Sequence, residues 1–157
     1  MSTDFDILSI LDQDENPFEA LEARRVLETS LVKYAVEHRT TQDLTKMKTA
    51  LGRLVTSIDS GDYNSLLLAD REFHVAIGEA TKNSLLEQML RSLLEIMGQG
   101  LWPRLKAQLL SVSKEHMMET RRTHGELFEA VHEQDTEAAV AWTERHFDEI
   151  DRLFQGS

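Results

Sequence analysis

Only two prolines interrupt these 157 residues, and one of them, Pro17, stands where a helix can begin. Between Pro17 and Pro103, apolar residues return every three or four positions, the period of an amphipathic helix rather than a strand. Seven glycines and an abundance of Leu, Ala, Glu and Met add to the same reading. The chain is therefore expected to be all-α, and it is long enough for one domain with a real core.

Capping chemistry divides that pattern. Asn16-Pro17-Phe18-Glu19 reads as an N-cap, a first helical position and a capping box, opening a helix to about His38. Thr40 or Thr41 caps a second helix that runs to about Ser60, where Gly61 supplies the stop. Asp62 or Asn64 begins a third, to about Thr81, and Asn83 a fourth that passes Met97. Gly98, Gly100 and Pro103 are expected to bend or break that helix near Trp102. Ser111 or Ser113 opens a fifth to about Gln134, and Asp135 or Thr136 a sixth to about Phe154. Residues 1–15 read as a lead-in or linker remnant and 16–157 as the domain. Six or seven helices with short connections predict an antiparallel bundle.

Composition removes several classes of function. With no cysteine there are no disulfides, zinc ribbons or thiol chemistry. No apolar run approaches a membrane span and no secretory pattern opens the chain, so a cytoplasmic location is expected. A formal net charge of −11 and the lack of a basic block argue against direct contact with nucleic acid. If the protein acts on DNA, another segment must do the touching.

Four polar residues sit where apolar ones belong. Asp70 and His74 lie one helical turn apart. At about 100° per residue, Leu66, Leu67, Phe73 and Ile77 lie within roughly 60° of Asp70. His124 shares its face with Met117, Leu127, Phe128 and Val131, and His146 shares its face with Ala139, Trp142, Ile150 and Leu153. Burying such groups is costly unless something pairs with them. Together they suggest a divalent-metal site of Asp70, His74, His124 and His146, a donor set suited to Zn, Ni, Mn or Fe. Any one of them alone would be read as a satisfied core residue. His116 and His132 fall at the edge of their stripe, and His38 at the end of its helix, structural or solvent-facing.

Arg24 is a second anomaly, on the face of Ala20, Leu27, Leu31 and Ala35. Two readings stay open: it pairs with Glu28 one turn on, or its planar fork meets a ligand carboxylate. Other chemistry finds no support. Glu129 and His132 have Glu-x-x-His spacing, but Glu129 faces outward, and no phosphate loop or nucleophile elbow occurs. Trp102, Trp142 and the Met and Phe residues read mainly as core, with Trp102 the best candidate to wall a pocket.

Three segments resemble a known family. Glu22-Ala23-Arg24-Arg25-Val26-Leu27-Glu28 is similar to the opening "E-x-R-x-x-L-E" of the FadR-type C-terminal (FCD) effector domain of GntR-family transcription regulators. Asp70-x-x-Phe73-His74 followed by Ala80-Thr81-Lys82-Asn83 resembles its "D-x-x-F-H … a-x-x-N" segment. His124-x-x-Leu127-Phe128-x-Ala130-Val131, Asp135, Ala138, Ala139 and His146 resemble its closing pattern. The match covers nearly everything from Asn16 onward.

That resemblance implies an all-helical bundle with an internal cavity for metal and a small effector, often a carboxylate. It carries Asp70, His74, His124 and His146 over as metal ligands and Arg24 as the effector-binding residue. It also implies a homodimer, and a DNA-binding winged helix-turn-helix that this sequence lacks. The first expectation is thus a ligand sensor that controls a separate DNA-binding domain, and not an enzyme. Two alternatives remain from the residues alone: a metal-dependent enzyme, or a helical interaction domain without metal.

Overall fold

The computed structural model describes residues 17–99 and 101–155, so the lead-in and the Asn16 cap lie outside the described residues. Seven helices and no strand occupy the described residues. They are α1 (Pro17–His38), α2 (Thr41–Ser60), α3 (Tyr63–Ala80), α4 (Ser84–Met97), α5 (Leu101–Ser111), α6 (Lys114–His132) and α7 (Thr136–Gln155). None is long and apolar enough to cross a membrane.

The boundaries follow side-chain chemistry. Thr40 and Asp43 form a reciprocal capping box at the start of α2. Gly61 closes it in the left-handed region at φ +71°, where a Cβ would be strained. Asp62 caps α3, Asn83 caps α4 through Leu85 and Leu86, and Ser113 caps α6 through His116. The Asp135 side chain accepts from the amide of Ala138 at the start of α7.

The expected interruption near Trp102 is present. The long fourth helix ends at Met97, and α5 restarts at Leu101, so the break precedes Trp102. Pro103 falls in the first turn of α5, where its missing N–H is not needed, and it breaks nothing.

The core is a chain of apolar clusters between helices. Val32, Ala35 and Val36 of α1 pack with Met47, Phe73, Leu127 and Ala139 at one end. At the other end Leu21, Met97, Trp102, Phe147 and Ile150 close around the α4–α5 break. Leu31 of α1 meets Leu90 and Leu94 of α4. Arg39 Nε donates to Val131 O at 3.0 Å, and Gln134 Nε2 donates to Val36 O at 3.0 Å, which ties the ends of α1 and α6 together. Between the clusters, helices α1, α3, α6 and α7 each turn ionisable side chains inward.

Candidate metal centre and adjoining pocket

Asp70 and His74 of α3, His124 of α6 and His146 of α7 are all buried. One ligand atom from each lies within 4.8 Å of all the others. The imidazole rings close on one another, with centroids 5.4 Å apart for His74 and His124, 4.9 Å for His74 and His146, and 4.8 Å for His124 and His146. Three helices therefore bring together the four residues that were out of place in their stripes.

Contacts outside the cluster fix which ring nitrogens point inward. His124 Nδ1–H donates to Thr120 O at 2.7 Å, leaving Nε2 to face Asp70 Oδ1 at 2.6 Å. An imidazole lone pair and a carboxylate oxygen repel at that distance unless a proton or a cation lies between them. His74 Nδ1 lies 2.5 Å from Glu28 Oε1, which leaves its Nε2 3.3 Å from Asp70 Oδ1. Neither His74 contact has hydrogen-bond geometry, and His146 Nε2 has no hydrogen-bond partner among the described residues. Buried polar atoms are rarely left so.

Protonation bears on ligation, because ligands must offer lone pairs. Burial, together with the facing His124 and His74, pushes His146 well below the usual imidazole range. That shift favours the neutral imidazole, the form that offers a lone pair. Burial opposes the charge of Asp70, yet Lys106, His74 and His124 outweigh it and hold the carboxyl well below the usual range. Burial likewise works against charge on His74, but Glu28 and Asp70 hold its pKa up. Glu28 is held low against its own burial by Arg24 and His74. A carboxylate set against the outer nitrogen of an imidazole is the usual support for a metal-binding histidine. The donor set and the orphaned nitrogens fit a divalent transition ion.

Arg24 pairs with Glu28, the first of its two readings. Its Nε pairs with Glu28 Oε2 and its guanidinium lies over the Phe147 ring, while its buried Nη2 has no hydrogen bond among the described residues and the residue lines a pocket of about 310 Å³. That pocket lies between α1, α3, α4 and α5 beside the four-residue cluster, with Asp70 in its wall. Trp102 lines it, as its position suggested, together with Leu67, Leu94 and Met97.

Lys106 was missed. It is buried, lines the same pocket, and donates from Nζ to Asp70 Oδ2 at 3.4 Å. The signal was available, since Lys106 lies four residues from both Trp102 and Leu110, the buried stripe of α5. The role of Glu28 towards His74 could not be read from spacing, because it joins two helices. The remaining histidines stay out of the centre: His38 meets Tyr34 O, His116 approaches Glu149, and His132 is exposed.

The described residues thus form a helical bundle in which one aspartate and three histidines are buried together next to a pocket. The family model of the FCD domain matches residues 19–149, and the chain belongs to that family. The Uxu operon transcriptional regulator of Escherichia coli is 38% identical over 78 residues, covering 50% of this chain and 30% of that protein. The Uxu operon regulator of Haemophilus influenzae is 32% identical over 108 residues, 66% of this chain and 39% of that one. The galactonate operon transcriptional repressor of E. coli is 27% identical over 143 residues, 87% of this chain and 58% of the repressor. The aligned part thus spans between about a third and three fifths of these relatives. Among solved structures, E. coli McbR/YncC superposes with a TM-score of 0.75 at 25% identity, over 92% of this chain and 70% of that one. These relatives are GntR-family transcription regulators, not enzymes.

Proposed function

We propose that this chain is the ligand-sensing domain of a GntR-family transcription regulator acting in the cytoplasm. A divalent transition ion is held by Asp70, His74, His124 and His146, and a small carboxylate effector binds in the adjoining pocket against Arg24. Metal and effector stabilise one arrangement of the bundle over another, and that difference in affinity controls DNA binding by a separate domain. The observation that carries the reading is the convergence of four buried donors within 4.8 Å beside a pocket lined by Arg24. When bound, the ion would supply a Lewis-acid position for an anionic oxygen. Arg24 would orient the carboxylate, and Trp102 and Met97 would exclude water from it.

The test has two arms. Elemental analysis should find close to one transition ion per chain, lost on chelation or in the His124→Ala/His146→Ala double variant; full retention in that variant would sink the site. Thermal shift against mono-, di- and hydroxy-carboxylates should find a stabilising acid whose effect shrinks in Arg24→Met and after metal removal. A neutral best ligand, or an arginine variant that responds like wild type, would reduce Arg24 to a structural partner of Glu28.

We also propose that the domain pairs with a second copy of itself. Val26 of α1 and Leu85 and Met89 of α4 are exposed, and Val26 and Met89 flank a shared groove. An apolar face of this kind on an acidic protein is suited to a self-complementary contact.

A further inference from the structure

The chain carries a formal net charge of −11, yet the pocket beside the centre is lined by Arg24, Arg71 and Lys106 against a single acid, Asp70. Arg24 and Lys106 are both buried. The acids that meet them are Glu28 and Asp70, and each of those is shared. Glu28 also faces His74, and Asp70 commits its other oxygen to His124. Lys106 makes one long hydrogen bond to Asp70, using one of the three donors of its ammonium.

Charge accounting with a divalent ion in place is then unbalanced. The ion, Arg24 and Lys106 carry four positive charges, and Asp70 and Glu28 return two negative ones. A monocarboxylate would leave one buried positive charge uncompensated, which is expensive where water is excluded. An effector with two anionic groups would balance the site.

We propose that Lys106 is a specificity-determining residue that makes this pocket select effectors carrying two negative groups, the second of them held by the Lys106 ammonium. This rests on the reading of the pocket as a carboxylate-effector site. The carbon frame between the two groups is compact, set by about 310 Å³ and by the apolar walls of Leu67, Met97 and Trp102. Lys106 stands on α5, beyond the break from α4, whereas Arg24 stands on α1. An effector bridging them would therefore tie the short helix to the bundle.

The test is calorimetric titration of zinc-loaded protein with matched pairs: malate against lactate, galactarate against galactonate, and 3-phosphoglycerate against glycerate. In at least one pair, wild type should bind the member with two anionic groups about tenfold or more tightly than the member with one. In Lys106→Met, compared with wild type at equal zinc occupancy, that preference should fall to about threefold or less. Lys106→Arg, which keeps the charge, should restore most of it. A preference confined to the phosphoglycerate pair would identify the second group as phosphate rather than carboxylate, within the same proposal. If Lys106 only orients Asp70, the variant will lose zinc and weaken both members of a pair equally, which overturns the proposal. So would monoanions that bind as tightly as dianions while still depending on zinc and Arg24, leaving the effector-site reading intact. Binding of no acid in any pair would remove that reading and the proposal with it.

Discussion

Glu28 holds two groups at once, the Arg24 guanidinium on its own helix and the His74 imidazole on α3. Supporting carboxylates of this kind are worth about 10–100-fold in metal affinity. Glu28→Gln should therefore weaken zinc binding by about that factor in competition with a chromogenic chelator, although the substituted side chain is not itself a ligand. Unchanged affinity would mean that His74 is oriented by packing alone. The same substitution leaves Arg24 without its buried partner, so the variant should also lose about 3–5 kcal/mol of stability, read by urea denaturation. Stability and metal affinity must be measured separately, with chelated protein as the reference, because metal release by itself destabilises a folded metal domain.

Helix α2 has both of its ends set by local chemistry, a capping box at the start and a left-handed glycine at the stop. Asp43 accepts from Thr40 N at 2.8 Å and meets Lys82 Nζ at 2.6 Å, so it joins the start of α2 to the α3–α4 turn. Burial raises the Asp43 carboxyl, but Lys82 and Thr40 prevail and its pKa lies below the ordinary 3.8. A carboxyl lowered by folding stabilises the fold above its unfolded value and ceases to do so as pH falls through its folded value. Asp43→Ala should therefore cost about 1–2 kcal/mol at neutral pH, with the gap to wild type closing in acid below pH 3.8. A gap that stays constant into that range would remove the charge from the account. At the other end, Gly61→Val should cost about 1–2 kcal/mol, because a β-branched residue must adopt the positive φ of that cap. Circular dichroism melts would read both.

For the whole molecule, the exposed apolar residues on α1 and α4 bear on assembly. Sedimentation at high micromolar concentration should give a dimer for the chain as it stands and a monomer for Val26→Glu/Met89→Glu. Helix content should not change, because neither side chain is in the core. A wild-type chain that stays monomeric at these concentrations would show that this face does not bind a second copy of the domain.

The amino-acid sequence by itself determined the helices and the inward direction of the unusual residues. Both are local: Asn83, Gly61 and Ser113 act within a few residues of where they stand, and a 3.6-residue period assigns Asp70, His74, His124 and His146 to buried faces. The break between α4 and α5 was legible as a region but not as a position, since Pro103 is equally at home in a first turn and at a kink. Only the tertiary structure decided how the carboxylates are shared. Asp70 gives one oxygen to His124 and the other to Lys106, and Glu28 divides between Arg24 and His74. Those pairings join α1, α3, α5 and α6 across distances for which the sequence has no period. They follow from which helices lie side by side, a consequence of core packing. Lys106 shows the limit most clearly: its stripe marks it as buried, but nothing near it in the chain reveals that it shares a pocket with Arg24.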